Sequence, residues 1–130
     1  MVKEILEGAI PYILEAKIIS CGTDIAVNIS GGSVPHIGAV ALATPRPSIN
    51  KHEHISATAS ILCVSGHKED LLARDAALRL ASKFNTTVLV SVGMHVDSAT
   101  VGDIKKLNAN FAALVLRVET LLQDGIEILT

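Results

Sequence analysis

Residues 55–94 read ISATASILCVSGHKEDLLARDAALRLASKFNTTVLVSVGM, and this stretch decides the fold. Residues 55–64 are small and β-branched, the composition of a strand. Ser65-Gly66-His67 stops that run. From 68 to 84 the period changes to that of a helix. Leu72, Ala73, Ala76, Ala77, Leu80, Ala81 and Phe84 share one broad face. Asp70 stands four before Arg74, and Asp75 four before Arg79, which predicts a solvated flank carrying ion pairs. Asn85 suits a C-cap. Residues 87–94 are almost continuously apolar, as in an interior strand covered on both faces. Strand, helix and strand together predict a βαβ unit, right-handed by the usual rule.

Working outward, residues 12–20 alternate, with Glu15 and Lys17 on one face and Leu14, Ala16 and Ile18 on the other. Residues 25–30 alternate again, with Ile25, Val27 and Ile29 together. Cys21-Gly22-Thr23-Asp24 between them predicts a hairpin. A third strand is expected at 37–44, ended by Pro45-Arg46-Pro47. Toward the C-terminus a second helix is expected over about 103–124, ended by Gly125. Leu107, Phe111, Leu114, Val115, Val118, Leu121 and Leu122 form its core stripe. Ala109, Ala112, Ala113 and Leu116 form a second, smaller apolar face. That surplus suits a homodimer contact, there or along a sheet edge, or plain intramolecular burial. The expected topology is ββββαβα, an α+β sandwich with one mixed, mostly antiparallel sheet and two helices. Residues 1–130 form a single domain on this reading.

Composition narrows the functional classes. The 130 residues carry 11 Lys and Arg against 13 Asp and Glu, a formal charge of −2, so an electrostatic nucleic-acid binder is not expected. With one Tyr, two Phe and no Trp, base-stacking and sugar-stacking platforms are poorly supplied. The apolar fraction of 49% is too high for disorder, yet no apolar run reaches the roughly 20 residues of a membrane span. The N-terminal residues MVKEILEGAIPYILEAK mix acids into an apolar stretch and lack the organisation of a signal peptide. Cys21 and Cys63, each in an apolar segment, are expected to be reduced, buried thiols of a cytoplasmic protein.

Function must therefore come from a few polar islands. Nucleotide, dinucleotide, zinc-protease and serine-hydrolase motifs are absent. The first island is Gly31-Gly32-Ser33-Val34-Pro35-His36-Ile37-Gly38. Its backbone amides can form an anion-binding nest, or the segment can be a tight loop with a surface histidine. The second is Thr44-Pro45-Arg46-Pro47-Ser48, where flanking prolines hold one guanidinium as a carboxylate or phosphate would need, or simply end a strand. The third is Ser65-Gly66-His67-Lys68-Glu69-Asp70, a strand-to-helix turn that offers donors to an anion or ordinary capping. The fourth is Gly93-Met94-His95-Val96-Asp97, at the strand end where open α/β sheets bind ligands. There Asp97 could orient His95 as a proton shuttle or as a structural hydrogen bond. His52-Glu53-His54 supplies two imidazoles but no second ligand pair, so no metal site is expected.

The succession GGSVPHIGAVALATPRPS, ISATASILCVSGHKEDLLAR and TVLVSVGMHVDSAT resembles the LpdD-like family, over roughly residues 8–125. That family comprises small proteins encoded with UbiD-type aromatic acid decarboxylases and described as prenylated-flavin chaperones or maturases. Its fold is similar to that of proteasome-assembly chaperones. The resemblance implies a helper that loads prenylated FMN into a client decarboxylase or matures it there. The motif positions that carry over are Gly31, Gly32, Pro35, His36, Gly38, Arg46, Pro47, Gly66, His67, Lys68, His95 and Asp97. Of these, Gly31, Gly32, His36, Arg46, His67, Lys68 and His95 are the candidate cofactor contacts. With so few aromatics, flavin contact is expected to be transient or completed by a partner. Two alternatives stay open. One is a protein-assembly scaffold with no small ligand. The other is a small decarboxylase subunit using His36, His67 or His95 as acid or base.

Overall fold

The computed structural model describes residues 2–49, 54–64 and 69–129, with side chains described through 125. The elements run β1 (Val2–Glu7), β2 (Leu14–Cys21), β3 (Asp24–Gly32), β4 (Ala39–Pro47), β5 (Ile55–Cys63), α1 (Asp70–Phe84), β6 (Val88–His95) and α2 (Val101–Leu129). Six strands make one mixed sheet in the order β1-β2-β3-β6-β4-β5. Only β3 and β6 run parallel; the other neighbours are antiparallel. The α+β expectation holds, with one strand more than ββββαβα. The addition is β1, an edge strand whose alternation is masked because Lys3, Ile5 and Glu7 share a face.

The core lies on one face of the sheet. Leu14, Ala16 and Ile18 of β2 stand beside Ile29 and Val27 of β3, which stand beside Val92, Val90 and Val88 of β6 and then Ala39, Ala41 and Ala43 of β4. Side chains directly opposite point the same way, so these rows form one buried surface. The alanines on β4 let α1 approach closely through Ala73, Ala76, Ala77 and Ala81, with Leu80 between them. α2 covers the β1–β2 side with Leu107, Phe111, Leu114, Val115, Val118 and Leu122. Arg79 and Lys83 of α1 reach Glu119 of α2 at 3.0 and 3.6 Å, tying the helices together. Arg79 thus serves a contact between helices rather than only the expected flank.

The βαβ expectation holds in split form: β5 and β6 are each antiparallel to β4, so they run parallel with β4 between them. Three expectations are corrected. β4 runs through Pro45 and Pro47 instead of stopping before them. Past Ala43 it pairs with β5 alone, and a strand with one free edge tolerates residues without an N–H. α2 passes through Gly125 to Leu129, since one glycine costs a helix only about 1 kcal/mol. Cys21 and Cys63 are exposed. Cys21 borders the β2–β3 turn, and Cys63 is the last residue of the edge strand β5.

Loop 8–13 is fixed to α2. Asn110 donates to the Tyr12 carbonyl, and the Tyr12 hydroxyl donates to Asp103 Oδ1 at 2.6 Å. Thr100 and Asp103 exchange side-chain and backbone bonds across the first turn, a capping box. The Tyr12 hydroxyl bond, followed by the Thr100 amide, holds the Asp103 carboxyl below its usual range. The same bond raises the Tyr12 phenol above its usual value, with desolvation adding to it.

Candidate functional site

Three of the four islands meet at one end of the sheet, the third of them through Glu69. β3 and β6 are parallel, so Gly31 and Gly32 end beside Met94 and His95. Gly32 adopts φ +76°, and a Cβ there would stand 2.2 Å from the His95 carbonyl oxygen. This close approach lets Ser33 N–H and Val34 N–H donate to that same carbonyl at 2.8 and 3.3 Å. Gly32 N–H donates to Ile13 at 2.9 Å. The amides that could have formed an anion nest are therefore engaged within the fold. The glycines serve a strand crossing.

The segment after Pro35 then crosses β6. A Cβ on Gly93 would stand 1.6 Å from the His36 carbonyl oxygen, so only glycine admits the chain there. His36 is fixed at both ring nitrogens. Nδ1 lies 2.9 Å from the Val34 carbonyl, which only accepts, so Nδ1 carries a proton. Nε2 lies 2.9 Å from Glu69 Oε1, which also accepts the Met94 N–H at 3.4 Å. A proton is therefore shared between Nε2 and the carboxylate, as imidazolium with carboxylate or imidazole with acid. Glu69 is the N-cap position of α1 and is 7% exposed. Its side chain does not cap the helix; it turns to His36 instead.

His95 stands next to this pair, its ring edge-on to that of His36 with centroids 6.4 Å apart. Its Nε2 meets Asp97 Oδ1 at 3.1 Å, and both side chains face solvent. The cluster is thus two imidazoles, each with its own carboxylate, one inner and one outer. Sequence reasoning named both histidines and Asp97 but missed Glu69, which reads as an ordinary first-turn acid.

Arg46 lies at the other end. It is seven residues along β4 from Ala39, about 23 Å at strand rise. Its Nε donates to Thr58 Oγ1 at 2.9 Å and its Nη1 to the Pro47 carbonyl at 3.2 Å. The guanidinium is held as the flanking prolines suggested, but remote from the histidines. His67 and Lys68, with Gly66, lie outside the described residues, as do His52 and Glu53.

The described residues fit a prenylated flavin only in part. His36 and His95 offer imidazole edges to an anionic group. Each faces a carboxylate, and the neighbouring amides are engaged. For the ring system, Phe111 is buried, Phe84 is half-buried and Tyr12 is bound to Asp103, so no aromatic face is offered for stacking. This suits passing contact or a site completed by another protein rather than resident storage. Elsewhere, a groove of about 310 Å³ runs between the helices, floored by Leu72, Ala76, Phe111 and Val115, with Asp75 and Arg79 on its rim. None of the candidate cofactor contacts lines it, but Ala112 and Leu116 of the smaller apolar face of α2 do.

The model of the prenylated flavin chaperone LpdD-like domain matches residues 8–123. No curated protein sequence matches the chain. Among solved structures, the chain is similar to one in a crystal structure of a chaperone complex for yeast 20S proteasome assembly. The match has 16% identity, covers 95% of each chain and gives a TM-score of 0.54, a likeness of fold.

Proposed function

The chain belongs to the prenylated flavin chaperone LpdD-like domain family, and on that premise we propose that it helps a prenylated-FMN-dependent decarboxylase of the UbiD type acquire or mature its cofactor. The single observation that carries this reading is the family match over residues 8–123. The reading assigns the cofactor's anionic end to the His36–His95 corner, with Gly31 and Gly32 shaping the approach and His67 and Lys68 as further contacts. Prenylated FMN supplies the decarboxylase chemistry once it sits in the client. This chain's residues only receive, orient and release it. Arg46, at the opposite end, is assigned to the client surface. The protein acts in the cytoplasm, where exposed thiols such as Cys21 and Cys63 stay reduced, and it acts as a homodimer.

The test is co-expression with a UbiD-type decarboxylase, reading cofactor occupancy by absorbance and decarboxylation per enzyme. Occupancy several-fold higher with the chain than without it is expected. Equal occupancy overturns the reading. A second reading, a scaffold that holds proteins and no small ligand, is favoured by the engaged Gly32 and Ser33 amides. Saturable quenching of FMN fluorescence, weakened by His95→Ala, eliminates it.

A further inference from the structure

β5 closes the sheet beside β4, and the pattern of its outer edge follows from the ladder. In an antiparallel pair, facing residues alternately exchange both backbone bonds or neither. The Val64 N–H donates to the Gly38 carbonyl at 2.7 Å and the Ser48 N–H to the His54 carbonyl at 2.9 Å, just beyond the two ends of β5. The bonded pairs are therefore the even positions, from Ser56 with Arg46 to Leu62 with Val40. Pro45 and Pro47 fall opposite Ala57 and Ile55, in pairs that ask for no N–H. Ile55, Ala57, Ala59 and Ile61 accordingly turn their N–H and C=O groups outward, away from β4. Among the described residues no other strand and no loop backbone takes them up.

Proteins normally blunt such an edge with charge, proline or a bulge. β1, the opposite edge, carries Lys3, Glu4 and Glu7, and Arg117 donates to its Leu6 carbonyl. β5 runs nine residues, ISATASILC, with no charge and no proline, and its register with β4 is unbroken. α1 packs over β4 and β5. Leu72, Ala76 and Arg79 form its flank toward α2. Leu71 and Leu78 stand on the other flank, two turns apart over the β5 side, and Leu71 is 65% exposed. They roof the space beside the edge.

We propose that an extended segment of the client decarboxylase adds to β5 as a seventh strand. The inference rests on the proposed function and names the surface that holds the client. Four outward donors and four outward acceptors, repeating about every 6.6 Å, match an extended backbone. The uncharged edge selects a segment with apolar or hydroxyl side chains, because a charge placed under Leu71 and Leu78 would lack a partner. Arg46, assigned to the client surface, donates to Thr58 of β5, so the edge continues that surface. An edge about 30 Å long and about 10 Å deep buries roughly 600 Å² over both partners. That is too little for a stable pair of copies and suits a client that leaves once loaded.

Hydrogen exchange read residue by residue, on the full chain alone and with an apo UbiD-type decarboxylase, tests this. Alone, the amides of Ile55, Ala57, Ala59 and Ile61 should exchange at least ten-fold faster than those of Ser56, Thr58, Ser60 and Leu62. With the decarboxylase they should slow at least ten-fold. Ala59→Pro removes one outward N–H and spares the ladder to β4, so it should weaken decarboxylase binding at least ten-fold with circular dichroism unchanged. Ala57→Pro should do the same, and if neither variant folds the exchange pattern of the unaltered chain decides. Binding that leaves the outward amides as fast as in the free chain overturns the proposal, as do folded proline variants that bind normally. So does the absence of any binding, or protection that rises with the concentration of the chain alone, which would give the edge to a second copy. Edge protection without a gain in cofactor occupancy upholds the seventh strand and removes only the proposed function; a gain without edge protection does the reverse.

Discussion

Gly93 decides how the chain from β3 reaches β4. Any side chain there meets the His36 carbonyl at 1.6 Å, so the crossing must shift bodily. Gly93→Ala is expected to cost about 2–3 kcal/mol in urea denaturation, at the upper end for overpacking because a backbone atom stands in the way. The same crossing delivers His36 to Glu69. Glu69→Ala leaves the His36 ring and the Met94 N–H without their shared acceptor and should cost about 2 kcal/mol. Glu69→Gln should cost less, because its amide can donate to Nε2 while Nδ1 keeps the proton facing Val34. A double-mutant cycle with His36→Ala should show coupling near 1 kcal/mol or more; strict additivity would refute the pairing. The histidines and Asp97 were legible in the sequence because imidazole beside carboxylate at a strand end is a chemical signal. Glu69 was not legible. It is 33 residues from His36, and only the placing of β6 beside β4 brings the two together.

At the scale of elements, α2 depends on its first turn. The Tyr12–Asp103 bond lowers the Asp103 pKa and raises that of Tyr12. A carboxyl lowered in the native state contributes stability above its ordinary range and loses it as pH falls through the lowered native value. A phenol raised in the native state contributes below its ordinary value near 10 and loses that contribution as pH rises through the raised one. Asp103→Asn should therefore flatten the acid limb of the urea midpoint against pH; an unchanged limb would refute the linkage. The period of α2 and α1 and the alternation of β2 and β3 were readable because one face of each is fully buried. β1 escaped notice because only Ile5 packs on the core, and an edge strand leaves a faint alternation. The prolines of β4 misled for a related reason. Whether a strand tolerates them depends on which neighbours it has, and the sequence of β4 alone does not say that β6 stops at Val88.

At the scale of the molecule, the His36–His95 corner and Arg46 occupy opposite ends of one sheet. Sites this far apart, sharing no partner, should act independently. The effects of His95→Ala and Arg46→Ala on decarboxylase cofactor occupancy should therefore multiply in the double variant. A double variant no worse than the weaker single would mean that one ligand spans both ends. The strand order has a separate consequence for how the protein is made. β6 is the last strand in sequence but sits between β3 and β4. Until residues 88–95 leave the ribosome, the nascent chain holds two unjoined pieces, β1–β3 and β4–β5, each with a bare edge ready to pair wrongly. A stalled chain ending before Val88 should be protease-sensitive along its whole length. One extending past His95 by the length of the exit tunnel should gain protection in both halves at once.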